Sequence, residues 1–467
     1  MGGGALTLEL LRTELEALVR EQMVRRHVPG VALGVVHGGE ALALCLGVTN
    51  VEHPLPVTPE TLFQVGSTTK TMTATVAVRR VEAGVLDLDA PIRRAMPEFR
   101  LADAAWADRV TARHLLTHTA GWAGDHFLMH PIGERGEGAL AQVVARMPEV
   151  PLQTPPGETF AYSNGGFAVL GRLLEVLSGR PFEQLLATEV FAPLGMRGAR
   201  FLPEDAIVER VVVGHRVADG EARVARPWAL ERAAAAHGGV ISSLAGQLAY
   251  LRFHLGDGRG PTGERVLRAG SLAEMQREHV PAGSICDAFG LSWQLTDVGD
   301  VRTVRHGGET NGQLSEIVMV PPERFGCTVL TNATTGVSLN YDVVAWLLDR
   351  VLGARAATPA TVPVAPERLG EYAARYDGVL KDVVVRAVEG ALVLDVEPHT
   401  RPGRDPALPP PPVRLAFTGV DRVIALDEQS PPRRGEFLRD GAGAIRWLRW
   451  DGRLQGPPRD AAAARAT

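Results

Sequence analysis

The sequence predicts an α+β protein: one sheet assembled from both ends of a long first domain, a largely helical stretch between them, and a small all-β domain at the end. Three observations carry this. Strand-like runs at Val31–His37 and Ala41–Val48 are matched far along the chain by Gln313–Val320 and Gly326–Thr331, with helical patterns between. Residues 354–366 (Ala-Arg-Ala-Ala-Thr-Pro-Ala-Thr-Val-Pro-Val-Ala-Pro) read as an interdomain linker. Beyond it, short strands recur at 383–388, 391–396, 413–418, 422–427, 436–439 and 444–450, the pattern of a small barrel. The expected domains are 1–353, with a helical insertion over about 68–290, and 367–467.

Residues 8–26 place Leu8, Leu10, Leu11, Leu15, Leu18, Val19 and Met23 at helical spacing with charges between, an amphipathic helix. Gly38-Gly39-Glu40 separates the first two strands as a hairpin signal. Thr71–Ala83 has few breakers and Gly84 just past its end, so it reads as a helix with a glycine stop. Pro155–Met196 carries Tyr162-Ser163-Asn164 ahead of two glycines, read as a tight turn able to aim a phenol and an amide into a cleft. Leu244–Leu255 and Ser338–Leu352 read as helices, and Thr303–Gly308 closes a strand. Glu389-Gly390 joins the first two strands of the C-terminal domain, and Pro409–Pro412 interrupts its later ones.

A net charge of −5 with no basic block gives no footing for nucleic acid or an anionic membrane, and no apolar run is long enough to span one. Three scattered cysteines, Cys45, Cys286 and Cys327, are too few and too uneven for a disulfide framework and read as buried thiols. Met1–Thr7 lacks the charged and apolar regions of a signal peptide, so the expected location is the cytoplasm, although a trimmed secreted form would read the same way. His114 and His118, like His126 and His130, are spaced as zinc ligands on a helix. Neither pair has the glutamate or third ligand of a zinc site, so both read as packed or surface histidines, with no metal or cofactor expected.

Chemistry points to Phe63-Gln-Val-Gly-Ser-Thr-Thr-Lys70. Ser67 falls at the start of a helix, where free N–H groups favour developing negative charge. Lys70 stands one turn on, on the same face. The chain has only two lysines, Lys70 and Lys381, among many arginines. Lysine loses its proton when desolvated and arginine does not, which singles out Lys70 as a proton acceptor for the Ser67 hydroxyl. Four residues alone are a weak signal and also describe an ordinary helix start.

Together, Ser67-x-x-Lys70, Tyr162-Ser-Asn164 and His306-Gly-Gly308 resemble the three ordered motifs of the penicillin-recognising serine hydrolases, in the branch of class C β-lactamases, DD-peptidases, D-aminopeptidases and related esterases. Leu115–Gly121, Pro156–Asn164, Pro193–Met196 and His237–Val240 look like supporting stretches of that family, over roughly residues 20–350. The C-terminal part is similar to a lipocalin-like barrel that some members append. The resemblance implies an antiparallel sheet with helices on both faces and an acyl-enzyme formed on Ser67. Lys70 and Tyr162 would share its proton, the ammonium lowering the phenol pKa and burial lowering that of the amine. Asn164 would hold the substrate amide and the lysine, and the N–H groups of Ser67 and Glu309 would form the oxyanion hole.

One departure matters. Many relatives carry Lys-Thr-Gly where this chain has His306-Gly307-Gly308, and a neutral histidine and a glycine lack the cation and hydroxyl that clamp a substrate carboxylate. The expected activity is therefore hydrolysis of an amide, peptide or ester in a small-molecule or short-peptide substrate. Alternatives are acyl transfer or peptide cyclisation through the same acyl-enzyme, β-lactam hydrolysis, and a non-catalytic receptor, the last opposed by intact Ser67, Lys70 and Tyr162. Oligomeric state has no signature in the sequence.

Overall fold

The computed structural model describes residues 8–404, 406, 408–427 and 432–459; Met1–Thr7, on which the signal-peptide reading rests, lie outside them. Eight antiparallel strands form the main sheet in the order 40–47, 30–37, 325–331, 314–320, 301–309, 294–298, 288–289, 280–281. Strand Gly30–His37 pairs with Phe325–Thr331, Val31 opposite Thr331 and His37 opposite Phe325, so the two ends of the first domain share one sheet. Its Val-Ala-Leu-Gly-Val-Val run does not alternate because both faces are covered. Helices Leu8–Arg26 and Gly336–Leu352 pack on one face through Leu15, Val19, Val343 and Leu347. On the other face Gly34 lies so close to Leu248 of helix Leu244–Leu255 that a Cβ would stand 2.6 Å from its Cδ2.

Helix Thr69–Glu82 runs through the middle of the first domain, and every residue from Thr69 to Val78 is buried. A helix buried all round needs its polar side chains satisfied, and its threonines bond backbone carbonyls: Thr71 to Thr68, Thr73 to Ala236 and Thr75 to Thr71. Gly84, at φ +70°, ends it as the sequence predicts.

Strands between Ala374 and Arg459 form a nine-stranded antiparallel, nearly closed barrel-like sheet around Val385, Leu394, Phe437 and Trp450. Its hairpin Lys381–Val388/Ala391–Pro398 turns at Glu389-Gly390, both at positive φ, as a two-residue hairpin requires. A second such turn, Asp451-Gly452, docks against the first domain: Gly452 O accepts from Tyr162 N at 2.8 Å, and Gly452 N donates to Ser284 Oγ at 3.0 Å. Ala161 packs beside it against Trp447 and Leu454. Among the described residues no helix is long and apolar enough to cross a membrane.

Candidate active site

Ser67 lies in a short 3-10 turn, Gly66–Thr68, that opens the buried helix. Gly66 has φ +51°, and a Cβ on it would stand 2.6 Å from Glu309 N. A Cβ on Gly308 would come within 1.9 Å of Val65 O and 2.8 Å of Ser67 N. The two glycines thus let the end of strand Val301–Glu309 touch the serine turn, bringing the Glu309 N–H beside that of Ser67.

Lys70 is fully buried, while Ser67 remains partly open to the cleft. Lys70 Nζ stands 2.9 Å from Ser67 Oγ and donates to Asn164 Oδ1 at 2.8 Å and to His237 O at 2.7 Å, so in the neutral amine those two bonds use both N–H groups and the lone pair faces the serine. Its acceptors are all uncharged. Burial therefore holds the Lys70 pKa well below its ordinary value, with Arg453 adding to the effect and Asp125 opposing it.

Tyr162-Ser163-Asn164 is not a free turn. Ser163 caps helix Asn164–Ser178, its Oγ accepting from Gly166 N at 2.9 Å, and Asn164 is the first helical residue. The following glycines serve packing: a Cβ on Gly165 would stand 3.3 Å from Gly124 O. The Tyr162 hydroxyl is close enough to Ser67 to interact with it, and the Lys70 amine and the Arg453 guanidinium stand 4.9 Å and 4.8 Å from its ring centroid. The expected lowering of the phenol pKa does not occur. Burial raises it, and the Ser67 hydrogen bond and Arg453 only partly offset that.

His306 is fully buried with its ring 6.3 Å from that of Tyr162, and burial, assisted by Lys70, pushes its pKa to about 3. It is neutral, as the sequence led us to expect. Gly307 faces the neighbouring strand, where a Cβ would stand 2.9 Å from Glu316 Oε2, and Glu316 is paired with Arg305 at 2.9 Å. A carboxyl group, held by Arg305, thus stands beside Gly307.

Three contributors were not legible in the sequence. Asp125 accepts from Asn164 Nδ2 and from Arg453 Nε, the latter at 2.8 Å, linking the barrel through Asn164 to Lys70. Burial raises the Asp125 pKa, but Arg453 and Asn164 outweigh it and keep the carboxyl below its ordinary value. His118, at φ +57°, stacks on Tyr162 at 4.3 Å, accepts from Ser163 N at 3.0 Å and offers its own carbonyl to Ala161 N at 2.8 Å. The Leu115–Gly121 motif thereby supports the tyrosine. Hairpin chemistry marks Asp451-Gly452 as a turn, but nothing local says that it abuts the serine. Among the described residues no cluster of three or more His, Cys, Asp or Glu side chains could hold a metal. His126 and His130 pack on one another at 4.4 Å, and His114 Nδ1 accepts from Thr111 N in a helix cap.

A partly open serine bonded to a desolvated lysine and a buried tyrosine, over an antiparallel sheet with helices on both faces, defines a serine hydrolase. The β-lactamase family model matches residues 15–349, and the chain belongs to that family. Penicillin-binding protein 4 of Amycolatopsis lactamdurans is 36% identical over 355 residues, covering 73% of this chain and 92% of the relative. Esterase EstB of Burkholderia gladioli is 32% identical over 207 residues, covering 41% of this chain and 52% of the esterase. The crystal structure of SurE with D-Leu superposes with a TM-score of 0.73 at 26% identity, over 96% of this chain and 100% of that one, so the likeness extends through the barrel.

Proposed function

We propose that the protein forms an acyl-enzyme on Ser67 and hydrolyses an amide, peptide or ester bond. The observation that carries this reading is the Lys70 amine: fully buried, without a carboxylate touching it, and 2.9 Å from Ser67 Oγ. Held neutral, it takes the hydroxyl proton as Oγ attacks the substrate carbonyl. The Ser67 and Glu309 N–H groups receive the carbonyl oxygen, a contribution of about 3 kcal/mol for each well-placed donor. Tyr162 keeps its proton at neutral pH, which suits it to donate to the leaving nitrogen as the C–N bond breaks and to be reprotonated from the Lys70 ammonium. Water then enters by the reverse proton path and releases the acid. With its pKa lowered and that of Tyr162 raised, Lys70 is the better base of the two.

A D-amino-acid-containing substrate is favoured by the similarity to a structure holding D-Leu. β-Lactam turnover is disfavoured by neutral His306 and by Gly307, which offers no hydroxyl to a substrate carboxylate. The test is intact-protein mass spectrometry after a fluorophosphonate, with p-nitrophenyl esters, D- and L-aminoacyl amides, D-Ala-D-Ala peptides and nitrocefin as substrates. One adduct, absent in Ser67→Ala, with amides or esters turned over faster than nitrocefin, is expected; an adduct that persists in Ser67→Ala refutes the reading. Adding amine nucleophiles separates acyl transfer from hydrolysis by the products formed.

A further inference from the structure

A cleft of about 290 Å³ opens on the Asn164 and His237 side of Lys70. Its walls include Phe127 and Leu230, and its lip is formed by Arg401 and Arg404, both in the barrel's loop between strands Ala391–Pro398 and Val413–Gly419. Neither Ser67 nor Tyr162 lines it, but Asn164 and His237, both bonded to the Lys70 amine, do. A group extending from Ser67 past Asn164, the side chain expected to hold the substrate amide, would enter this cleft.

Both guanidiniums are half-buried, and among the described residues neither forms an ion pair or donates a hydrogen bond. Glu231, the acid that lines the same cleft, bonds the Ile132 backbone instead. Two cations held close together, with Asp125 and Glu309 acting on them only at longer range and Asp125 already paired with Arg453, are unfavourable unless a ligand supplies an anion. Arg404 shows the strain: burial lowers its pKa, Arg401 and Arg216 lower it further, and Glu309 at the strand end only partly opposes them. The opposite side of the site offers a carboxylate no free cation, because His306 is neutral and Arg305 is already paired with Glu316.

We propose that Arg401 and Arg404 form an anion subsite, supplied by the C-terminal domain, that reads a carboxylate on the acyl portion of the substrate. A guanidinium fork matches a carboxylate in geometry and charge, and the apolar walls leave room for a short aliphatic spacer between that group and the reacting carbonyl. The inference rests on the acyl-enzyme reading above.

The test compares two esters on the full chain: mono-p-nitrophenyl adipate, whose acyl group ends in a carboxylate, and its neutral methyl ester. The wild-type protein is expected to favour the anionic ester by about tenfold or more in kcat/KM, with the preference shrinking as salt rises. In the double variant Arg401→Gln/Arg404→Gln the ratio should fall to about one, in Arg404→Lys it should stay within about threefold of wild type, and in Arg401→Glu/Arg404→Glu it should invert in favour of a 6-(trimethylammonio)hexanoate ester. Should a double variant fail to fold, the single glutamine variants are read by the same ratio. An adduct on Ser67 with no anionic preference, or a preference untouched by these substitutions, overturns the subsite and leaves the hydrolase reading standing. No acylation of Ser67 by either ester removes both.

Discussion

The two lysines show what environment does to one side chain. Lys70 lies in the catalytic domain, buried, with three uncharged groups around its amine. Lys381 lies in the barrel, half-buried and paired with Asp451. A lysine paired with a carboxylate ties a strand to a turn; a desolvated one gives its proton up and becomes a base. The two regions also meet: the turn that Lys381 fastens continues into Gly452 and Arg453, which touch Tyr162 and Asp125. The barrel is thus a wall of the catalytic cleft, with the ion-paired Lys381 behind it and the desolvated Lys70 in front.

That contrast can be attacked at several points. The largest effect after loss of Ser67 or Lys70 is expected from Tyr162→Phe. It removes the proton donor to the leaving group, so amide turnover should fall about 100-fold or more, while p-nitrophenyl esters, whose leaving group needs no proton, should fall about tenfold or less. Equal losses on both substrate types, measured as kcat/KM, would place Tyr162 elsewhere in the mechanism. The acylation rate should fall about tenfold per pH unit below the lowered Lys70 pKa, because only the unprotonated amine acts as base, and should level off above it. His237 and His306, both pushed to about 3, are neutral from mildly acid pH upward, so no inflexion near 6.5 belongs to them. A break near the ordinary lysine value would show an unperturbed amine.

Smaller effects probe the contact between the two regions. Arg453→Met leaves Asp125 buried without its cation and loosens Asn164, and we expect kcat to drop about tenfold, with KM changing less. Arg453→Lys should recover part of it, whereas a purely structural role would lower the melting temperature without moving kcat. Lys381→Met, at the partly exposed pair, should leave kcat within about twofold and cost under about 1 kcal/mol in chemical denaturation. A large catalytic loss there would make the two lysines less different than their surroundings imply.

Local patterns carried much of this architecture. The helix at Leu8–Arg26, the N-terminal hairpin, the helix ended by Gly84 and the hairpin at Glu389-Gly390 all follow from spacing and turn chemistry. Ser67 and Lys70 were visible because one helical turn separates them and because lysine is so scarce. What stayed hidden depends on long-range packing. Asp125 and Arg453 meet across 328 positions, and no local rule pairs them. The tight turn expected at Tyr162–Asn164 proved to be a helix start because Gly165 and Gly166 permit close packing, which in sequence looks the same as a turn. The phenol pKa was misjudged in sign because the depth of burial at Tyr162 comes from the barrel turn and His118, neither of which a motif reveals.

Lys70→Arg tests the central claim most directly, because it retains positive charge and hydrogen-bonding capacity but cannot accept the serine proton. The quantity to measure is the rate at which a fluorophosphonate adds to Ser67 at neutral pH, followed by intact mass, in protein shown to be folded. A buried neutral amine acting as base predicts a fall of about 1,000-fold relative to wild type. Labelling at close to the wild-type rate would mean that another group takes the proton.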